Sequence, residues 1–222
     1  MQNKLQISEI FFSVQGESTF AGLPCIFVRL SGCNLRCNYC DAAYTWEMGD
    51  SSSVSEILTA IAKYPCRLVE LTGGEPLMQQ QCPELLRSLL QQGYSVLLET
   101  NGSVAINSVP PDVTSILDVK TPDSGSCDSF LMENIPEIRK RIAANPGSCE
   151  MKFVLSSKND FLWACDFIRK HKLNASLPLL FSPVTGRVTA QELADWLMEI
   201  ELSVRLQLQL HTILWPGKKR GV

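Results

Sequence analysis

The chain has 222 residues, 45% of them apolar and 19% charged, which is enough for one domain with a full hydrophobic core. A net charge of −3 argues against a protein that tracks nucleic-acid backbones. No apolar run approaches the roughly 20 residues of a membrane span, and the N-terminal segment lacks the apolar core of a signal peptide. We therefore expect one cytoplasmic domain over residues 1–222, without a nucleic-acid or membrane partner.

Apolar, β-branched runs alternate with helical patterns along the whole chain. The apolar runs predict strands at 5–14, 25–30, 68–71, 95–98, 115–119, 151–155, 177–181 and 204–210. The last of these alternates leucine with glutamine, which is typical of a half-buried strand near a sheet edge. Helical spacing predicts helices at 83–92, 130–144 and 160–171, and two more that begin after Ser53 and Thr189. A glutamate three residues after Ser53 and after Thr189 completes a capping box at each.

Alternating strands and helices build a parallel sheet with helices outside it. The chain has too few such units for a complete eight-fold barrel, so we predict an α/β fold in the form of a partial, open βα barrel. Ligands of such sheets bind at the carboxyl ends of the strands. The segments TGGEP, ETNG, DVK and FSP all fall at predicted strand ends. This placement predicts one shared active site.

The nine cysteines divide into one cluster and six single residues. In a cytosolic protein they are expected to be thiols. The single ones are expected to be small core residues: Cys25, Cys66, Cys82, Cys127, Cys149 and Cys165.

Cys33, Cys37 and Cys40 follow the strand at 25–30 as Cys-x3-Cys-x2-Cys. Three thiolates can hold three irons of a 4Fe–4S cluster and leave the fourth iron open, as at a catalytic centre. A structural zinc site would need a fourth ligand nearby, but the two histidines lie far along the chain. A non-catalytic metal-binding or redox module stays open as an alternative.

Two charged features of the sequence need an interpretation, the arginine at position 29 and the basic run near the C-terminus. Arg29 lies in an apolar strand, where its guanidinium needs an anionic partner, either a substrate carboxylate or a structural ion pair. The basic run at 218–220 is most simply a solvated tail.

The loop GCNLRCNYCD and the segment TGGEP together resemble the radical S-adenosylmethionine (SAM) superfamily. The resemblance implies a barrel of the radical SAM type, with a 4Fe–4S cluster on Cys33, Cys37 and Cys40 and SAM on the open iron. An electron from the cluster would cleave SAM to a 5′-deoxyadenosyl radical. It also implies a reducing partner such as flavodoxin or ferredoxin.

A narrower resemblance covers nearly the whole chain. The N-terminal QGE, the strand with Arg29, the cysteine loop followed by TWE, then TGGEP and ETNG are similar to the 7-carboxy-7-deazaguanine synthase family. This implies a homodimeric lyase of queuosine biosynthesis that converts 6-carboxy-5,6,7,8-tetrahydropterin to 7-carboxy-7-deazaguanine and ammonia. A glycyl-radical-enzyme activase shares the cysteine loop, but would not need QGE or Arg29.

The same resemblance assigns roles to individual residues. The pterin substrate would contact Val14, Gln15, Gly16, Arg29, Thr72 and the carboxylate of Val222. SAM would contact Tyr39, Cys40, Asp41, Gly74, Asp118, Val119, Lys120 and Ser182.

Some of these positions depart from the family pattern. Asp118 and Val119 stand where the family often has Ser-Pro, and Ser182 where many members have glutamine. Ala42 replaces the usual threonine or serine ligand of Mg²⁺, and a methyl group cannot bind a hard cation. We therefore expect either Asp41 or Thr45 to assist with Mg²⁺, or a weaker need for the metal.

Overall fold

The computed structural model describes residues 4–173 and 176–222. Within these residues, nine strands form one sheet, and six α-helices accompany it. The strands are β1 Lys4–Val14, β2 Pro24–Leu30, β3 Asp50–Ser53, β4 Leu68–Gly73, β5 Ser95–Thr100, β6 Thr114–Asp118, β7 Cys149–Leu155, β8 Leu179–Pro183 and β9 Arg205–Leu206. The helices are α1 Val54–Ile61, α2 Cys82–Gln91, α3 Asn134–Ala144, α4 Lys158–Lys170, α5 Ala190–Met198 and α6 Leu210–Leu214. None of these helices is long and apolar enough to cross a membrane.

The strand order in the sheet is β3-β1-β2-β4-β5-β6-β7-β8-β9. β1 pairs antiparallel with both β2 and β3, and every pair from β2 to β9 is parallel. Because β3 and β9 are the two ends of this order, the sheet stays open. The prediction of a partial, open βα barrel is confirmed.

Residues on the parallel strands alternate between two faces of the sheet. One face packs into the main core through residues such as Val28, Leu71, Leu98, Leu117 and Phe153. The opposite, cavity-lining face carries charged side chains at the alternate positions: Arg29, Glu70, Glu99, Asp118 and Lys152. A parallel sheet that is covered on both sides usually has apolar strands throughout, so these charges identify the face that lines a site.

Most predicted elements are present, with boundaries that differ by a few residues. Both capping boxes are confirmed: the Ser53 hydroxyl accepts from the Glu56 N–H at 3.3 Å, and Thr189 pairs with Glu192 in the same way. The helix predicted from residue 130 begins only at Asn134, because Phe130 packs its ring into the core beside Gly102.

Two predictions about the sheet edges were incomplete or wrong. β3 was missed because DSSS has no strand-like pattern, and it forms through pairing with β1. The strand predicted at 204–210 is limited to Arg205–Leu206. The expected alternation is reversed, since Leu206 is 39% exposed and Gln207 is buried. The Gln207 backbone N–H donates to the Phe181 carbonyl at 2.8 Å. Leu210, the last residue of the predicted strand, instead begins the short helix α6.

All nine cysteines are free thiols, as expected. Four of the six single cysteines are buried: Cys25, Cys82, Cys149 and Cys165. The other two are only partly buried, so the core prediction was wrong for Cys127 and holds in part for Cys66, which packs at the margin of the core.

Candidate active site

A cavity of about 390 Å³ opens where the carboxyl ends of β2 and β4–β7 meet. Its size suits a small-molecule ligand. It is lined by the cysteine loop and by residues of the TGGEP, ETNG and DVK segments, as predicted, but not by the FSP segment.

The cavity brings together most of the residues predicted for the site. Those that line it are Val14, Gln15, Gly16, Arg29, Cys33, Cys37, Tyr39, Cys40, Asp41, Thr72, Gly74, Asp118, Lys120 and Val222. Val119 and Ser182 do not line it, and both side chains are fully buried. Val119 packs into the main core, whereas Ser182 is in register with the cavity-lining Val154.

Three anchors hold the cysteine loop above the strand ends. The Tyr39 hydroxyl donates to the Val154 carbonyl at 3.0 Å and lies 3.1 Å from the Thr121 hydroxyl. Burial raises the pKa of Tyr39 to about 12, so the phenol keeps its proton. The Asn38 N–H donates to the Ser124 carbonyl at 2.9 Å. The middle of the loop is thereby fixed to the segment that follows β6.

The TGGEP segment is joined to the start of the cysteine loop by its backbone. The Gly74 N–H donates to the Leu30 carbonyl at 3.1 Å, and the Glu75 N–H donates to the Gly32 carbonyl at 2.8 Å. A Cβ atom on Gly74 would lie 2.1 Å from the Gly32 oxygen. Glycine is therefore required here by a backbone contact within the protein, in addition to the SAM contact that the family resemblance implies for it.

The Glu75 side chain joins the TGGEP segment to the ETNG segment through hydrogen bonds. Its fully buried carboxylate accepts the Thr100 hydroxyl at 2.9 Å and the Asn101 N–H at 2.7 Å. The cysteine loop, TGGEP and ETNG thus form one hydrogen-bonded unit.

The donor set fits a 4Fe–4S cluster. Cys33, Cys37 and Cys40 are free thiols, partly exposed to the same cavity. Lys120 lies beside them, and although burial disfavours its charge, Asp118 at 2.9 Å raises the pKa of the ammonium and keeps it positive. No three or more His, Cys, Asp and Glu side chains of the described residues are arranged to hold a single metal ion. A cluster fits this arrangement, because each thiolate binds a different iron.

Arg29 is held from one side only. Its Nε donates to Glu9 at 3.0 Å, and its guanidinium lies over the Phe11 ring at 5.7 Å. Glu9 also accepts the Tyr44 hydroxyl at 2.7 Å. Among the hydrogen bonds of the described residues, none is donated by the two terminal nitrogens of Arg29. The structural ion pair expected for Arg29 is therefore present, and its side chain also lines the cavity.

A network of buried charges lies across the cavity floor. Lys152 pairs with Glu17 at 2.9 Å, with Glu99, and with Asp118 at 3.5 Å. Glu99 also accepts the Thr72 hydroxyl at 2.9 Å. Burial opposes ionisation of Glu99, but Lys152 outweighs it and lowers the pKa of this carboxyl below its ordinary value. The floor therefore holds fixed charges of both signs.

Glu70 adds a carboxyl that forms no ion pair within the part of the chain that the structure describes, and its partner is Gln15. It is 4% exposed and accepts the Gln15 amide at 2.5 Å, and Gln15 in turn accepts the Glu17 N–H at 3.1 Å. Burial, reinforced by the charge of Glu99, raises the pKa of Glu70 to about 8. Glu70, Glu99 and Lys152 were not among the residues predicted for the site. Charged residues at alternate positions of otherwise apolar strands were the available signal.

Replacing Glu70 with glutamine is expected to remove part of the pH dependence of stability. The folded chain keeps the Glu70 proton between the ordinary pKa of 4.5 and about 8, while the unfolded chain releases it. The folded state binds more protons in this window, so stability falls as pH rises, by up to about 1.4 kcal/mol per pH unit. Urea unfolding of both proteins from pH 5 to 8 measures the difference. Parallel curves would contradict the assignment.

The basic run at 218–220 is not a free tail. Its side chains are exposed, but Lys218, Lys219 and Val222 line the cavity mouth, and Arg220 lies over the Tyr44 ring at 4.4 Å. The Gly221 N–H donates to Glu9 at 3.1 Å, so one carboxylate holds both Arg29 and this segment.

Two side chains near Ala42 were considered as aids to Mg²⁺ binding, Asp41 and Thr45, and they differ in exposure. Asp41 is 74% exposed, and its carboxylate lies 4.0 Å from His211. Thr45 is 1% exposed, and its hydroxyl donates to the Ala42 carbonyl at 2.8 Å. Of the two side chains considered for Mg²⁺, Asp41 is the accessible one.

Comparison with known proteins places the fold and the cysteine loop in one class. The model of the radical SAM superfamily matches residues 27–113. The crystal structure of QueE from Escherichia coli superposes with a TM-score of 0.75 at 22% identity, over 94% of this chain and 95% of that one. The open barrel with its three-cysteine loop is that of a radical SAM enzyme.

Relatives of known function narrow the class to a family. The 7-carboxy-7-deazaguanine synthases of Chlorobaculum tepidum and Koribacter versatilis are each 42% identical to this chain. The matches cover 98% of this chain and 97% and 100% of those proteins. The chain belongs to the 7-carboxy-7-deazaguanine synthase family. Membership of this family excludes both alternatives, a non-catalytic metal-binding or redox module and a glycyl-radical-enzyme activase.

Proposed function

We propose that this enzyme converts 6-carboxy-5,6,7,8-tetrahydropterin to 7-carboxy-7-deazaguanine with release of ammonia. The observation that carries the proposal is that Arg29 and the three loop cysteines face the same 390 Å³ cavity. The cavity therefore offers a place for a cluster beside a place for an anionic substrate. The family name of the relatives supports the same reaction.

The substrate carboxylate would bind the two terminal nitrogens of Arg29. A guanidinium held at Nε by Glu9 presents these nitrogens in the fixed geometry that matches a carboxylate. The bound pterin would extend over Thr72 toward the 14–16 segment, where Gln15 is fixed by Glu70. Val222 would cover the carboxylate end from the cavity mouth.

SAM would lie between the cluster and the strand ends. Cys33, Cys37 and Cys40 would hold the cluster, which when bound supplies the electron that cleaves SAM. Tyr39, Asp41, Gly74, Asp118 and Lys120 surround this side of the cavity and would contact SAM. Lys120, kept positive by Asp118, would offset the negative charge of the cluster thiolates.

Reductive cleavage of SAM tests the cysteine assignment. After anaerobic reconstitution, we expect about four irons per chain and 5′-deoxyadenosine formation with SAM and a strong reductant. Cys37→Ala should lose both, while Cys127→Ala, outside the loop, should keep both. Equal activity of the two variants would contradict the assignment.

We expect the enzyme to depend only weakly on Mg²⁺. Ala42 offers no oxygen ligand, so the metal would be held by substrate and water, with Asp41 assisting. Ala42→Thr should lower the Mg²⁺ concentration for half-maximal activity about tenfold. Turnover of both proteins is measured after chelation and Mg²⁺ titration. A steep and equal loss of turnover on chelation would contradict this expectation.

We further propose a single cytosolic domain, a homodimer, and reduction by a flavodoxin- or ferredoxin-like partner. The nine free thiols support a reducing compartment. The homodimer and the electron donor rest on the family resemblance. Size-exclusion chromatography with light scattering tests the dimer.

A further inference from the structure

Asn101 reaches a cysteine sulfur from outside the cysteine loop. Its side-chain amide nitrogen lies 3.8 Å from the Cys33 Sγ and 3.2 Å from the Asn34 Oδ1. Within the described part of the chain, the other hydrogen bond to this sulfur comes from the Leu35 N–H at 3.4 Å, inside the loop itself.

Two hydrogen bonds fix the orientation of Asn101, one on its backbone and one on its side chain. Its backbone N–H donates to the buried Glu75 carboxylate at 2.7 Å, and its Oδ1 accepts the Ser103 N–H at 2.9 Å. The bond from the Ser103 N–H identifies the oxygen and leaves the NH₂ group directed at Cys33 and Asn34. Asn101 is 6% exposed, so water competes little for its donors.

We propose that Asn101 sets the reduction potential of the cluster by donating a hydrogen bond to the Cys33 thiolate. This inference rests on the proposed cluster at Cys33, Cys37 and Cys40. One-electron reduction adds negative charge to the cluster and its thiolates, and a hydrogen bond to a ligating sulfur stabilises the reduced state. Asn101 therefore makes reduction easier. Asn101 is therefore a positioning residue: it acts through the Cys33 sulfur and does not need to touch SAM or the substrate.

The experiment is a redox titration of the reconstituted enzyme, followed by the electron paramagnetic resonance signal of the reduced cluster. Asn101→Leu keeps the size of the side chain and removes the donor. We expect the ratio of reduced to oxidised cluster at a fixed potential to fall about tenfold, which is 59 mV for one electron. Asn101→Ala provides a second test with a smaller side chain.

Asn34→Ala is the matched control. It removes the Asn101–Asn34 bond and the bond from Asn34 to Ser103, and leaves the contact with Cys33. We expect its potential to equal that of the wild type. An unchanged potential in both Asn101 variants, an equal shift in Asn34→Ala, or failure of both Asn101 variants to hold the cluster would overturn the inference. A wild-type protein without a cluster would instead refute the proposed function.

Discussion

Replacing Lys152 with methionine is expected to lower the free energy of unfolding by about 3–5 kcal/mol. The Lys152 side chain is 4% exposed and neutralises three acidic groups: Glu17, Glu99 and Asp118. Methionine fills a similar volume but leaves these three carboxylates, which are 11% to 26% exposed, beside one another without their common cation. Removing one partner of a buried charge network costs far more than the intact network contributes. Urea unfolding at pH 7 measures the loss.

Lys140→Met is the matched control for this substitution. Lys140 is 77% exposed and pairs with Glu137 at 3.3 Å on the surface of α3. Exposed pairs of this kind contribute at most about 1 kcal/mol. Equal destabilisation by the two substitutions would show that Lys152 is not the cation on which the cavity floor depends.

Replacing Arg29 with lysine is expected to lower kcat/KM about 10- to 100-fold, and replacing it with alanine about 100- to 1,000-fold. Lysine keeps the positive charge but cannot offer two parallel donors to a carboxylate. It also cannot donate to Glu9 and to the substrate in the same geometry. Steady-state kinetics with the pterin substrate measures the effect.

Two controls separate substrate binding from folding and cluster assembly. Arg67→Lys changes an arginine that stacks on Tyr94 and does not line the cavity, so we expect kcat/KM to stay near the wild-type value. Iron content of the Arg29 variants should equal that of the wild type. Loss of the cluster from Arg29→Lys, or unchanged kcat/KM in Arg29→Ala, would contradict the role assigned to Arg29.

The fold and the cluster site could be predicted because their signals are local. Apolar runs, capping boxes at Ser53 and Thr189, and glycine-rich strand ends act within a few residues of the feature they predict. The cysteine spacing likewise lies within one loop. These signals sufficed for an open βα barrel with one site at its carboxyl edge.

The rest of the site depends on contacts between distant segments. Lys152 meets Glu17 across 135 residues, and Gly221 meets Glu9 across 212, so no short stretch of sequence contains either contact. The strand predicted at 204–210 lies at the sheet edge as expected, but its length and its buried face were wrong for the same reason. Gln207 gains a backbone partner on β8 and becomes buried, which reverses the pattern that its leucine neighbours suggest.

Product formation tests the central claim most directly. The reconstituted enzyme is incubated without oxygen with SAM, a reductant and 6-carboxy-5,6,7,8-tetrahydropterin, and the products are identified by mass spectrometry. We predict 7-carboxy-7-deazaguanine together with one ammonia per turnover. Formation of 5′-deoxyadenosine while the pterin remains unchanged would contradict the claim.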